Sequence, residues 1–340
     1  MVHRVAFFGA LATFFLIVVG GLVTSKSAGM SVPDWPTTYG YNMFLFPYSR
    51  WVGGIFWEHS HRLLASGIGL ITLVLAGVTF CKDKRSWVRW LAVAAVIGII
   101  IQGVLGGLRV TLYKDQIGIF HALLAQSFFG LLLIITAVTG KGFLSGQWFH
   151  DSIAASLRWL VLAGLLLTYF QVGVAATIRH QHAPLAIRDF PAAYGQFLPE
   201  TTPEALARIN AKRASQQIAP VSASQIVLQL IHRAGAVALL LVVLAVTVIA
   251  VQITPLGHWM RSWSLIWAGG LLLQILLGGI TIWSNKAADV ATAHMALGAA
   301  LTGFALLFTF RLFCAASGSP APAAADPRQP LPPLSKGSFA

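Results

Sequence analysis

Four histidines occupy related places in this chain of 340 residues. His61 and His232 each precede an arginine, Arg62 and Arg233, and lie 171 positions apart; His121 and His294 lie 173 apart. Offsets that agree so closely imply a duplicated unit with one histidine of each kind per copy. Each of the four falls in the first turns of a long apolar run, and an ionisable group at membrane depth is costly enough to read as functional. Two neutral imidazoles on facing helices are the usual axial set for a low-spin haem iron. Zinc would want three or four ligands together, commonly with cysteine or carboxylate among them, so two separated pairs suit two haems better. The remaining six, His3, His59, His150, His180, His182 and His258, fall in loops or at edges and read as ordinary polar residues.

The neighbours fit such a site. A guanidinium at the position of Arg62 or Arg233 could pair with a haem propionate, or snorkel to lipid headgroups. Glu58 lies one helical turn before His61, and Gln229 occupies the matching place before His232. A carboxylate beside one haem and an amide beside the other suggests one reactive site and one electron-transfer site. Apolar surroundings would raise the pKa of Glu58 and suit it to proton transfer; a carboxylate favoured by the helix dipole is the plainer reading. Small pairs, Gly20-Gly21, Gly106-Gly107, Ala175-Ala176 and Gly278-Gly279, recur level with the histidines. They would let backbones approach a flat macrocycle, or let two helices pack closely.

The elements that must carry these residues are membrane helices. With 57% apolar and 10% charged residues, against ~25% charged in soluble domains, the chain could not cover a globular surface. Eight apolar runs, roughly 5–24, 63–81, 87–110, 117–138, 157–178, 225–251, 263–283 and 291–314, each approach the ~20 residues of a spanning helix. The first is read as a retained helix rather than a signal peptide. Most of the net charge of +13 lies in short loops and serves to orient helices rather than to bind nucleic acid. Arg4, Lys82, Lys84, Arg85, Arg89, Lys141, Arg158, Arg261 and Arg311 fall on one side, which puts both termini in the cytoplasm. All four histidines then lie in the outer part of the bilayer. Cys81 and Cys314 sit far apart and read as free.

The expected architecture is all-α: eight spanning helices as two four-helix bundles related by a pseudo-twofold axis along the membrane normal. Residues 1–140 form the first half and 141–314 the second, with a long outer loop at 179–224 and a Pro- and Ala-rich disordered cytoplasmic tail at 315–340. That loop is about sixteen residues longer than its counterpart between the first two helices.

The set Gly20-Gly21-Leu22-Val23-Thr24, the loop Gly29-Met30-Ser31-Val32-Pro33-Asp34-Trp35-Pro36, Glu58-x-x-His61-Arg62, and the single histidines opening the fourth, sixth and eighth helices resembles the haem A synthase family over residues 1–314. The resemblance implies an oxidoreductase acting on a CH group. Such an enzyme hydroxylates the C8 methyl of haem O in successive steps, with water-derived oxygen, to give haem A for cytochrome oxidase. It implies a haem b cofactor on His232 and His294 with Arg233, haem O between His61 and His121 with Arg62, and Glu58 as the essential acid. The implied partners are haem O, an unnamed electron acceptor, the lipid bilayer and haem O synthase, which would hand over a water-insoluble substrate; homo-oligomerisation is left open. No transit-peptide-like arm precedes the first helix, so the expected home is the bacterial cytoplasmic membrane. The chain lacks the outer-loop cysteine pair of many bacterial members, and its Pro-Asp-Trp-Pro loop departs from the mitochondrial pattern. Two other readings stand beside this one. A dihaem b-type electron carrier would have no need of Glu58 opposite Gln229. A transporter would usually carry broken helices, and no proline interrupts the eight runs.

Overall fold

A computed structural model describes residues 1–149 and 157–317. It is helical throughout its long elements: α1 Val2–Ser25, α2 Gly53–Lys82, α3 Ser86–Thr111, α4 Asp115–Val138, the short α5 Lys141–Leu144, α6 Leu157–His180, α7 Pro203–Ser215, α8 Ala223–Ile253, α9 Trp259–Trp283 and α10 Ala288–Ser317. Eight of these are long and apolar enough to cross a membrane. Lipid cannot pair with backbone N–H and C=O groups, so apolar runs of this length close their hydrogen bonds within one helix.

All eight expected helices are present, and their ends differ from the apolar runs in an informative way. α2 starts at Gly53, ten residues ahead of its run, and α8 at Ala223. The two histidines expected to open these helices therefore sit about two turns inside them. The extension of α2 mixes apolar and polar residues, and two of the polar ones, Glu58 and His59, are buried. α8 begins with a capping box, Ser222 accepting from the Gln225 N–H while the Gln225 side chain returns to the Ser222 N–H. The region expected as one loop from 179 to 224 is more ordered than that. α6 continues to His180, and α7 forms inside the segment, started by Thr202 as N-cap and Pro203 in its first turn. α10 runs on through Ala315 to Ser317, so the proposed tail begins later than 315. The rest of that tail, and His150, lie outside the described residues.

Packing divides the long helices into two sets. α1 packs on α2 and α4, and α3 on α2 and α4; α6 packs on α8 and α10, and α9 on α8 and α10. Each set has its own apolar core. Ala6, Ala10, Ile68, Leu75, Leu132 and Ile135 fill the first; Leu157, Val243, Trp267 and Phe308 belong to the second. The sets meet where α1 touches α10 and α4 touches α6 and α10.

The loops after α1 and α6 are copies of one another. Asp34 accepts from the backbone N–H of Tyr39 and Gly40, and Asp189 from Tyr194 and Gly195. Tyr39 donates its hydroxyl to the Ser31 carbonyl, and Tyr194 to that of Ala186. Trp35–Pro36 and Phe190–Pro191 are both cis. Gly40 and Gly195 take the same positive φ, 77° and 76°, which a side chain would strain. These copies are offset by 155 positions rather than 171, so the extra length of the second loop lies after Gly195, where α7 is.

Candidate functional site

The four histidines converge on one cavity. His61, His121, His232 and His294, together with Glu58, Arg62 and Arg233, all line a space of about 1550 Å³ whose walls are otherwise largely apolar. Typical small-molecule sites hold ~300–1,000 Å³. His61 and His121 lie within electrostatic range of each other, as do His232 and His294. The first two stand on α2 and α4, the second two on α8 and α10.

Three of the rings are seated by a glycine of a neighbouring helix. A Cβ placed on Gly20 of α1 would lie 3.0 Å from Cε1 of His61. The same atom on Gly106 of α3 would lie 3.1 Å from His121, and on Gly278 of α9, 3.1 Å from His294. The second glycines face other groups: Gly107 the indole of Trp35, Gly279 the ring of Phe190, and Gly21 the thioether of Met295. Gly106-Gly107 and Gly278-Gly279 therefore make room for a histidine ring and for the aromatic residue of a loop, a task neither reading of the sequence had given them. Gln102 and Gln171, each four residues before a small pair, reach across to the histidine helices. Gln102 donates to the His121 carbonyl at 3.0 Å and Gln171 to the His232 carbonyl at 2.8 Å.

These residues fit haem. Nδ1 of His61, His121 and His232 is buried without a hydrogen-bond partner, as is Oε1 of Gln102, Gln171 and Gln274; orphaned buried polar atoms are rare in folded proteins. His294 differs, because its Nδ1 faces the Gln274 carbonyl at 3.0 Å. A carbonyl can only accept, so the proton sits on Nδ1 and the lone pair on Nε2, the tautomer a metal-binding imidazole needs.

Glu58 and the two arginines have duties the sequence did not reveal. Glu58 Oε1 accepts from Arg62 Nη2 at 2.8 Å, and Oε2 from the Val32 N–H at 2.9 Å. Its immediate neighbours are a cation and a backbone donor, not the apolar surroundings expected. Arg62 also donates to the carbonyls of Val32, Asp34 and Thr37. Arg233 does the same for the second loop, donating to Asp189 and Ala192 at 2.7 Å each. The Nη groups of both guanidiniums are thus engaged in holding the loops, while Nε of Arg233 is buried without a partner. Gln229 mirrors Glu58 with reversed polarity, its amide donating to the Ala183 and Pro184 carbonyls.

Burial works against ionisation of Asp34, but the Gly40 N–H, the Thr37 hydroxyl and the Tyr39 N–H outweigh it and hold the carboxyl below its ordinary value. Lys286, on the cavity wall, is pulled below its ordinary value by burial and then by nearby Arg179.

Several site residues escaped the sequence reading. His180 is not a loop residue; it is buried at the end of α6, on the cavity, against Gly118. His59 is fully buried, with Nδ1 3.2 Å from the Thr38 hydroxyl. Arg109 and Arg179 also line the cavity. The signal for Phe190 and Asp189 was present in the repeated Asp-aromatic-Pro and Tyr-Gly spacing, hidden by the inserted α7.

A family model described as COX15-CtaA, cytochrome oxidase assembly protein, matches residues 3–306. The chain belongs to this family. Among its relatives, a protein of Shewanella oneidensis named heme A synthase is 26% identical over 312 residues, covering 85% of this chain and 89% of that one. The heme A synthase of Rhizorhabdus wittichii is 26% identical over 327 residues, covering 86% and 88%. That of Shouchella clausii is 25% identical over 252 residues, covering 73% and 76%. The family match spans both helix sets and all seven residues singled out above.

Proposed function

We propose that this chain is a haem A synthase, an oxidoreductase that converts the C8 methyl of haem O to a formyl group. Residues 1–140 would receive haem O between His61 and His121, and residues 141–314 would keep a haem b on His232 and His294. The observation that carries the reading is the placing of four partly buried imidazoles, two per helix set, on a single cavity too large for one ordinary small-molecule ligand. The family match and the relatives' name support it. The two sets would be related by a pseudo-twofold axis along the membrane normal, with both termini cytoplasmic in a bacterial inner membrane.

Each hydroxylation joins a water oxygen to the methyl carbon and releases two electrons and two protons; after the second, loss of water leaves the aldehyde. A haem held by His232 and His294 would supply one-electron redox capacity toward an acceptor outside the chain. The protein's own part is to hold and close. Gly20, Gly106 and Gly278 seat the imidazoles, and Arg62 and Arg233 pin the two loops. Trp35 and Phe190 of those loops fill the space left at Gly107 and Gly279. Glu58 is the only carboxylate among the described residues lining the cavity, which makes it the group placed to take a released proton. Haem O synthase is the natural donor of a substrate this apolar.

Expression in a host that makes haem O but not haem A, followed by haem extraction and mass spectrometry, tests the reading. Haem A or its hydroxylated precursor is expected. Two equivalents of unmodified b-type haem, unaffected by Glu58→Gln, would instead identify a dihaem electron carrier.

A further inference from the structure

Arg109, at the end of α3, and Arg179, at the end of α6, are cavity-lining cations without an anion. No carboxylate among the described residues lies within 4 Å of either. Arg109 makes no side-chain hydrogen bond there, and its Nε is buried and unpartnered. Its guanidinium lies against Gly29, where a Cβ would come within 3.2 Å of both Nη atoms. The acids that act on it from a distance, Glu58 and Asp115, face Arg62 at 2.8 Å and His182 at 3.6 Å. Arg179 has only the Met295 sulfur, at 3.5 Å, a weak acceptor. The two arginines are close enough to repel each other, and Lys286 adds a third positive charge beside Arg179. Clustering like charges on a partly buried cavity wall with no counter-charge is unfavourable, so the arrangement is suited to an anion that enters with a ligand.

Position indicates which ligand. Arg109 lies within electrostatic range of His61 and His121. Arg179 is within range of His294, and the sulfur it touches belongs to the next residue. The carboxylates of a haem are its propionates, and guanidinium is well matched to carboxylate. Arg62 and Arg233, the arginines the sequence pointed to, have their Nη groups engaged by loop carbonyls, although Nε of Arg233 is unpartnered.

We infer that Arg109 and Arg179 form a paired propionate site at the meeting of the two helix sets, Arg109 for the haem between His61 and His121 and Arg179, with Lys286, for the haem between His232 and His294. This rests on the haem-binding reading above. The two haems would then be oriented with their carboxylate edges toward a common cationic patch.

The test uses the full-length chain made in haem-deficient cells and titrated in membranes with haem b and with its dimethyl ester, followed by Soret absorbance. The wild type is expected to prefer the free acid at least ~10-fold, and Arg109→Met and Arg179→Met each to reduce that preference, with Arg→Lys variants intermediate. Equal binding of acid and ester by the wild type overturns the propionate site while leaving the haem reading standing, and needs no variant to fold. Binding of neither form overturns both. If the Met variants lose co-purifying anionic phospholipid but keep the acid preference, the patch serves a lipid headgroup and the inference fails.

Discussion

Replacing Glu58 by glutamine separates two roles that one carboxylate could play. Its oxygens hold two donors, Arg62 Nη2 at 2.8 Å and the Val32 N–H at 2.9 Å, and its side chain is 5% exposed. An amide at this place can accept from one donor but must turn its own NH2 toward the other. A hydrogen bond to a charged group contributes ~1.5–3 kcal/mol, and an orphaned buried donor costs ~1–3 kcal/mol. Glu58→Gln should therefore loosen the attachment of the first loop to α2 by roughly 2–3 kcal/mol. At about 1.4 kcal/mol per tenfold, that is roughly 30–150-fold in the opening equilibrium. Amide hydrogen exchange of the peptide containing Val32 reads it directly, because this N–H is the one Glu58 accepts from. The expected result is faster exchange by that factor, confined to the first loop, together with loss of haem conversion. Unchanged exchange in a variant that has lost conversion would refute the clamp and leave Glu58 acting by proton transfer alone.

Other consequences follow from the same contacts. Gly278→Ala places a Cβ 3.1 Å from His294 Cε1; displacing that ring should cost about 1–3 kcal/mol and lower b-haem content in a pyridine haemochrome assay, and full retention of that haem would count against the seat. Thr38→Val removes the partner of buried His59 Nδ1 and should destabilise the protein by about 1 kcal/mol, read as a lowered Tm; an unshifted Tm contradicts it. Asp34 has a folded-state pKa depressed below 3.8, so the stability it lends its loop is complete above that value and is lost as pH falls through the lower folded one. A fluorotryptophan NMR signal from Trp35 should therefore change in acid below about pH 4 in the wild type and be insensitive to that titration in Asp34→Asn; identical acid behaviour of the two would remove Asp34 from the account.

The legible part of this molecule is the part lipid dictates. Backbone groups in hydrocarbon have to pair internally, so apolar runs announced the eight helices, and the repeated His-Arg and single-His offsets placed four imidazoles at one level. Where water and loops take over, the pattern weakens. The first turns of α2 mix Ile55, Phe56 and Trp57 with glycine and polar residues and form no long apolar run; Glu58 and Arg62 fasten them to loop backbone. α7 had its Thr202-Pro203 start in plain view, but its apolar content is low and it sat within a loop expected to be irregular. Its insertion also broke the register that would have aligned Asp189, Phe190 and Tyr194 with Asp34, Trp35 and Tyr39. No spacing displays that loop carbonyls fold back on the Arg62 guanidinium and not on that of Arg109.

The central claim is that one helix set receives a haem that is changed and the other keeps a haem that is not. Purifying the chain after co-expression with haem O synthase, and comparing extracted haems from His61→Ala and His232→Ala, tests it most directly. The account predicts that His232→Ala loses haem b, whereas His61→Ala keeps haem b and loses haem O and its oxidised products. Loss of the same haem from both variants would contradict the division of the two sites.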